Sequence, residues 1–282
     1  MDFLFDKRIL KHNPQSSYEG AYRFDNIKTS VPSQETETRG EKYLGLIHDS
    51  RYIEMVKRAS EEESFFANMN NDKNSYSCAC LAVGMAIEAS EKNLFSLSRP
   101  PGHHSSKHIG DGYCLFNNIA IATKKIVENG AKVAILDFDA HHGDGTQKIF
   151  LGNPEVRYFS IHEKGKWPFS GNMGWEKNCF NYPIKKGSED NKLIEWGRIV
   201  QDYTQDFNPD IIAVSAGFDG LRGDRISDLR FSLNGFSEIG KMIGSLEKRT
   251  FAVLEGGYHN QTYECAIRFR DGFNFVSKEY KK

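Results

Sequence analysis

The sequence predicts one α/β domain of three layers, in which helices cover both faces of a mostly parallel sheet. Short apolar runs typical of buried strands alternate with helical runs along the 282 residues. Nearly every strand-like run stops at glycine or at an acidic or histidine residue, and no linker rich in proline, glycine or serine divides the chain. We therefore expect residues 1–282 to form a single domain that binds ligands beyond the carboxyl ends of its strands.

Six strands and six helices are predicted. The strands are Asp2–Phe5, Asn93–Ser98, Lys132–Phe138, Val156–Ile161, Asp210–Ser215 and Thr250–Leu254. The helices are Tyr76–Ser90, Leu115–Glu128, Gly145–Leu151, Asn191–Phe207, Gly235–Glu247 and a last one near Thr262–Phe273. The uncharged stretch Asn74–Ile87 indicates that the first helix is buried. The remaining long irregular stretches are expected to be functional loops: His12–Glu41, Arg99–Gly112, Glu163–Asn181 and Asp219–Ser232.

Composition and charge exclude several classes of protein. The chain is 39% hydrophobic and 27% charged, which is the balance of a folded globular protein rather than a disordered one. With 37 basic and 38 acidic residues, it lacks the cationic excess that binds nucleic acid or anionic lipid. No uncharged stretch reaches the ~18 residues of a membrane span, the charged N-terminus has no secretory pattern, and the five cysteines show no metal or disulfide spacing. We expect a cytoplasmic protein without nucleic-acid or membrane partners.

The densest chemical signal is the run from Asp137 to Gly145, which holds three aspartates and two histidines. Because side chains alternate along an extended chain, Asp137, Asp139 and His141 project to one side at the strand end. Carboxylate oxygens with one imidazole nitrogen suit a divalent cation such as zinc. The alternative is an acidic turn in which Asp144 caps the next helix, but so many ionisable groups together are costly without a ligand.

A second signal follows the strand Asn93–Ser98, where two prolines and a glycine precede His103 and His104. Rigid proline backbone and a turn at glycine would present both imidazoles at the strand end, where they could act as acid and base. A single loop histidine is more often a solvated bystander. Because the His103–His104 pair follows a strand end close to that of the Asp/His cluster in the predicted sheet, the functional interpretation is favoured.

Two further strand ends carry single candidates. Asp219, flanked by glycines, could supply a third metal ligand and leave one coordination position open. Tyr258 follows two glycines, and its hydroxyl could donate to a carbonyl oxygen. A tyrosine packed on a surface turn is an equal alternative for Tyr258.

Five motifs occur in one order along the chain: Pro100-Pro101-Gly102-His103-His104, Gly112-Tyr113-Cys114, Asp137–Gly145, Ala216-Gly217-Phe218-Asp219 and Glu255-Gly256-Gly257-Tyr258. Together they resemble the histone deacetylase superfamily, in a bacterial or archaeal class II-like form. That superfamily includes zinc-dependent histone deacetylases and acetylpolyamine amidohydrolases. The resemblance runs from about Asp2 to Phe275 and implies the arginase/deacetylase fold.

The resemblance also implies roles for the motif residues. It makes Asp139, His141 and Asp219 the ligands of one zinc ion per chain. It makes His104 the general base and then the general acid, and gives His103 the part of an electrostatic partner. Tyr258 would polarise the scissile carbonyl.

Further roles carried by the resemblance concern support and substrate binding. Asp137 would pair with His103 and Asp144 with His104, and each carboxylate would set the tautomer of its imidazole. A structural potassium ion would take oxygens from Asp137, Asp139, His141, Ser160 and Ile161. The substrate tunnel would be formed by Gly112, Tyr113, Trp167, Gly256 and Gly257, with Ile226 at its gatekeeper position.

One departure from the family is plain. The usual N-terminal segment with paired Arg-Pro steps is represented here by His12–Arg23. At 282 residues the chain also leaves little room for the surface insertions that recognise protein partners.

The expected activity is zinc-dependent removal of an acetyl or other acyl group from an N-acylated amine. An acetyl-lysine side chain or a similar acylated small molecule is favoured, because the apolar Ile226 offers no partner for the distal ammonium of a polyamine. An acetylpolyamine amidohydrolase is the alternative, and a non-catalytic protein that binds acyl-lysine or polyamine is the alternative from another class. A ureohydrolase of the same fold would use two manganese ions and an Asp-x-Asp pair, but Leu221 stands two residues after Asp219.

Overall fold

The computed structural model describes residues 1–14 and 18–279, with side chains described to Val276. Its strands are β1 (Phe3–Leu4), β2 (Phe65–Phe66), β3 (Met69–Asn70), β4 (Phe95–Ser96), β5 (Val133–Asp137), β6 (Val156–Glu163), β7 (Trp175–Glu176), β8 (Cys179–Ile184), β9 (Ile211–Ala216) and β10 (Arg249–Leu254). Its helices are α1 (Asp25–Ser30), α2 (Ser50–Glu61), α3 (Ser75–Lys92), α4 (Asn118–Glu128), α5 (Asp144–Phe150), α6 (Asp190–Phe207), α7 (Leu233–Gly244) and α8 (Thr262–Glu279). Residues 15–17 and 280–282 of the predicted domain lie outside the described part of the chain.

The central sheet is mostly parallel, which confirms the predicted fold class. Its strand order is β1-β4-β10-β9-β5-β6-β8-β7, and β7 runs antiparallel to β8. Asp137 at the end of β5 pairs with Ser160 of β6 and Ser215 of β9, and Leu254 of β10 pairs with Ala216 of β9. The carboxyl ends of β5, β9 and β10 are therefore level, whereas β6 continues to Glu163. The residues that follow β5, β9 and β10 lie side by side.

Helices form a layer on each side of the sheet. Helices α3 and α4 contact one another, α3 contacts β10, and α4 contacts β9 and β5. In the other layer α7 contacts both α6 and α8, and α6 contacts β6. Every residue of β5 and β9 is buried, as expected of parallel strands covered on both faces. No helix in the described ranges is long and apolar enough to cross a bilayer.

Some elements escaped the sequence analysis. Helix α2 was not predicted, although the Asp49 carboxylate caps it by accepting the Tyr52 N–H at 2.8 Å. Strand β8 begins inside the predicted irregular stretch Glu163–Asn181. Its burial stops alternating at Tyr182–Pro183, and Pro183 cannot donate to a sheet, so the strand signal is weak. The predicted loop His12–Glu41 contains α1 and a 3-10 turn at Ala21–Phe24.

The atypical N-terminal segment is anchored by a buried ion cluster of Glu19, Arg23 and Arg99. The three side chains are at most 1% exposed. The Glu19 carboxylate accepts from Arg99 Nε at 2.9 Å and pairs with the Arg23 guanidinium. Arg23 also donates to the carbonyl oxygens of Glu255, at 2.6 Å, and Gly257, at 2.8 Å. Glu19 and Arg23 are thereby fixed to the loop that follows β10.

Replacing Glu19 with Gln should lower the free energy of unfolding by about 3–5 kcal/mol, because two buried guanidinium groups would lose their shared carboxylate. Urea denaturation measures the change. Glu189→Gln is the control, since Glu189 pairs with Arg222 while both side chains are more than half exposed, and such pairs contribute at most about 1 kcal/mol. Equal losses in the two variants would contradict the proposed importance of the cluster.

Candidate active site

A buried cluster of Asp139, His141 and Asp219 lies beyond the carboxyl ends of β5 and β9. Each residue offers a ligand atom, and these atoms lie within 4.8 Å of one another. His141 Nδ1 is 2.8 Å from Asp219 Oδ2 and 3.2 Å from Asp139 Oδ1. The level strand ends thus bring together the three residues predicted as metal ligands.

Backbone N–H groups orient the two carboxylates. Asp219 Oδ1 accepts the Ala140 N–H at 2.8 Å, and Asp139 Oδ2 accepts the Gly256 N–H at 2.8 Å. A Cβ atom at Gly256 would lie 2.6 Å from Asp139 Oδ2 and 2.8 Å from Asp219 Oδ2. Glycine at this position therefore allows the backbone to approach both acids.

The cluster fits a divalent cation. Burial, followed by the charge of Asp139, raises the pKa of Asp219 to about 7. Burial opposes a charged His141, but Asp219 and Asp139 overcome it and raise the pKa of that imidazole to about 10. The site is thus strongly attractive to positive charge, and two carboxylates with one imidazole match the ligand set of a zinc site with an open position.

Two adjacent imidazoles, His103 and His104, lie beside this cluster with ring centroids 4.0 Å apart. His103 Nδ1 is 3.1 Å from Asp137 Oδ2, and His104 Nδ1 is 2.9 Å from Asp144 Oδ1. Both predicted His–Asp pairs are therefore present. In each pair the aspartate engages Nδ1, which leaves Nε2 for other partners.

The surroundings push the pKa values of the two imidazoles in opposite directions. Burial disfavours the charged form of both rings. Asp137 and Asp139 outweigh burial at His103 and raise its pKa well above the ordinary value. At His104, burial and then the charge of His103 lower the pKa to about 3, although Asp144 acts in the other direction. At neutral pH His104 is uncharged, with its proton on Nδ1 toward Asp144.

Glu255 is a further buried acid to which the sequence analysis gave no role. Its Oε2 accepts the N–H groups of Gly102, at 2.7 Å, and His103, at 3.2 Å. Burial raises the pKa of this carboxyl to about 7. Glu255 therefore fixes the backbone that carries the histidines. Its position directly before two glycines at a strand end was the available signal.

A cavity of about 250 Å³ opens onto the cluster and both histidines. Its lining includes the predicted tunnel residues Gly112, Tyr113, Trp167, Ile226 and Gly256, and Tyr258 as well. Three lining residues were not predicted: Asn68, Pro101 and Lys166. Asn68 lies in the β2–β3 hairpin, which had no sequence signal.

Aromatic rings form the walls of the cavity. The ring centroids of Trp167 and His104 lie 4.6 Å apart, and those of Tyr113 and Tyr258 lie 6.1 Å apart. Gly112 has a φ of +52°, and a Cβ there would lie 2.5 Å from Trp167. Glycine at position 112 therefore gives Trp167 its place against His104.

Gly257, which was predicted to line the tunnel, is not among the residues that line the described cavity. Its carbonyl oxygen accepts a hydrogen bond from Arg23, and its place in the tunnel stays a prediction. The Arg23 guanidinium lies over the Tyr258 ring, 4.5 Å from its centroid, and Asp224 accepts the Tyr258 N–H at 2.7 Å. Burial raises the pKa of Tyr258 well above its ordinary value, so the phenol remains a hydrogen-bond donor. These contacts hold the tyrosine in place, and Gly257, whose φ is +130°, supplies the backbone conformation that leads to it.

The residues predicted to bind potassium include two members of the metal cluster, Asp139 and His141. The others, Asp137, Ser160 and Ile161, belong to β5 and β6. Asp137 and Ser160 are paired across β5 and β6. The Ser160 hydroxyl bonds His162 Nδ1 at 2.9 Å, and Asp137 Oδ1 accepts the Asp139 N–H at 3.2 Å. The potassium site stays a prediction.

Known proteins share both sequence and fold with this chain. The histone deacetylase domain profile matches residues 16–269. A probable deacetylase from Archaeoglobus fulgidus is 33% identical over 236 residues, which cover 75% of this chain and 65% of that protein. The chain spans less than two thirds of the length of the curated relatives that it matches.

Solved structures of two other proteins have folds closely similar to that of this chain. The crystal structure of the HDA15 HD domain aligns with a TM-score of 0.89 at 28% identity, covering 98% of this chain and 88% of that one. An acetylpolyamine aminohydrolase from Burkholderia pseudomallei aligns with a TM-score of 0.87 at 25% identity, covering 98% of this chain and 99% of that one. Because the family profile covers most of the sequence and the folds coincide, the chain belongs to the histone deacetylase domain family.

Proposed function

We propose that this chain is a zinc-dependent hydrolase that removes an acetyl group from an acylated amine. The observation that carries the proposal is one cavity lined at once by the Asp139/His141/Asp219 cluster, the His103–His104 pair and Tyr258. The probable deacetylase and the acetylpolyamine aminohydrolase described above bear names that imply the same reaction. Acetyl-lysine-like substrates and acetylpolyamines both carry the required amide on an alkyl arm.

Asp139, His141 and Asp219 would hold one zinc ion per chain. When bound, such an ion supplies Lewis acidity that polarises the acyl carbonyl and lowers the pKa of a water molecule. A structural potassium ion held by Asp137, Asp139, His141, Ser160 and Ile161 belongs to the same proposal. Oxygen atoms at paired positions of β5 and β6 support it.

His104 is the proposed general base. It is uncharged at neutral pH, and Asp144 engages its Nδ1, so Nε2 accepts a proton from the attacking water. The water oxygen bonds to the carbonyl carbon. His104 then returns the proton to the amine nitrogen as the C–N bond breaks, which releases acetate and the free amine.

Tyr258 is the proposed donor to the developing oxyanion. Tyr258 lines the cavity, and its raised pKa keeps the hydroxyl protonated. Donation to the carbonyl oxygen becomes stronger as negative charge grows, so it favours the transition state over the bound substrate. His103 supports the reaction electrostatically, and Asp137 and Asp144 act as positioning residues.

A ureohydrolase with two metal ions finds no support at the position where it would need a second aspartate. Leu221 stands there, and its side chain is 4% exposed within the hydrophobic core. We propose a single catalytic metal ion for this reason.

Replacing Tyr258 with Phe should reduce kcat by about 10²–10³-fold, which is typical for loss of one oxyanion donor. Bound zinc should be unchanged, because Tyr258 is not a member of the metal cluster. Activity on an acetyl-lysine peptide and on N-acetylputrescine, together with zinc content, provides the measurement. Tyr263→Phe, on α8 and outside the cavity, is the matched control. Undiminished turnover in Tyr258→Phe would refute the assigned role.

Replacing Asp219 with Asn should remove a metal ligand, and the affinity for zinc should fall more than the ~10–100-fold typical of losing an outer-shell partner. Elemental analysis should find one zinc per wild-type chain and little in the variant, with circular dichroism to verify folding. Asp202→Asn, at an exposed position of α6, should retain zinc. Two manganese ions per wild-type chain would instead support the ureohydrolase.

A further inference from the structure

We propose that Lys166 makes the cavity mouth selective for acylated amines whose far end carries a carboxylate. This inference rests on the proposed function and concerns the part of the substrate that is not hydrolysed. Lys166 lines the cavity, and its side chain is 28% exposed. It therefore lies between the buried metal cluster and solvent, where the distal end of an alkyl arm would emerge.

Outside the metal cluster and the two histidines, the described cavity wall carries positive but no negative charge. Apart from the metal cluster and the two histidines, Lys166 is the one formally charged residue among those that line the described cavity. Asn68 and Ile226, which also line the cavity and are at least partly exposed, carry no charge. Asp111 is adjacent to Gly112, but it does not line the cavity, and its Oδ1 accepts from Asn68 and from the Gly112 N–H. Outside the metal cluster, a distal ammonium would thus meet a lysine and no carboxylate on the cavity wall.

The Lys166 ammonium is paired with two acidic residues, and each of these has another hydrogen-bond or ion-pair partner. It lies 3.2 Å from Asp228 Oδ2 and 4.0 Å from Glu163 Oε2. Asp228 is also paired with Lys186 at 3.0 Å. Glu163 Oε2 accepts the Asp228 N–H at 2.9 Å. If Lys166 turned toward a substrate, each acid would keep a second partner.

This sharing makes a substrate carboxylate a suitable partner for Lys166. Lysine is a point charge on a flexible stem with three rotatable donors, so it can reach an anion without a fixed geometry. Pairing would leave the Asp228–Lys186 contact in place, and no acid would be stranded. The proposed substrate class is therefore an N-acylated amino acid whose carboxylate lies at the far end of the alkyl arm.

Three amides of matched length test the proposal: 6-acetamidohexanoate, 6-acetamidohexanamide and N-acetyl-1,6-diaminohexane. They share the acetamide and carry an anionic, a neutral and a cationic end. With the zinc-loaded protein, kcat/KM should be highest for the anion and lowest for the cation, by about fivefold or more between the two at low salt. Turnover of the neutral amide tests the proposed function alone, and the ratio of anion to cation tests Lys166.

Variants identify the charge responsible. Lys166→Gln should bring the anion-to-cation ratio close to one, and Lys166→Glu should reverse it. Lys164→Gln is the matched control, because Lys164 is an exposed lysine two residues before Lys166 and does not line the cavity. Its ratio should stay within about twofold of wild type.

Calorimetric binding of the three amides to the Tyr258→Phe protein gives a second readout that does not need turnover. The same order of affinities is expected there. A wild-type preference for the cation by either readout, or a kcat/KM ratio unchanged in Lys166→Glu, would overturn the proposal while leaving the hydrolase assignment intact.

Discussion

Repulsion among carboxylates buried at one edge of the sheet is the constraint on which the rest of this structure depends. Asp137, Asp139, Asp219 and Glu255 are all fully or almost fully buried there. Each accepts hydrogen bonds from backbone N–H groups or from an imidazole. Buried charges need such partners. The close approach of backbone at Gly256, the position of the histidine loop and the affinity of the cluster for a cation all follow from this need.

Acidic neighbours also give the two adjacent histidines different pKa values. His103 faces Asp137 and Asp139 and holds a positive charge, whereas His104 faces one aspartate that is itself paired with Lys148 at 2.6 Å. The charge on the first ring then opposes a proton on the second. Two chemically identical side chains, adjacent in sequence, thus acquire different protonation states from the strands that surround them.

Features that depend on local pattern were predictable from the sequence. The buried runs of β5, β9 and β10 are mostly apolar, and their ends carry Asp139, Asp219 and Tyr258 within short motifs. Strand β8 was not predicted, because Pro183 weakens its strand pattern. Lys166 and the partners of Arg23 were not predicted either; the contact of Arg23 with Gly257, for example, joins residues 234 positions apart. No local spacing records such contacts.

The position of Arg23 has a consequence for how this chain would be dissected. Its guanidinium covers the Tyr258 ring and binds the carbonyl oxygens of Glu255 and Gly257, just upstream of the tyrosine. A fragment beginning after residue 23 would retain all the motifs, from Pro100 to Tyr258, by which such chains are recognised. It would nevertheless lack the Arg23 contacts that hold Tyr258 in place. A chain of this fold can therefore carry every family motif and still lack a correctly held tyrosine. The residue that makes the difference, Arg23, lies in the N-terminal segment that departs most from the family pattern.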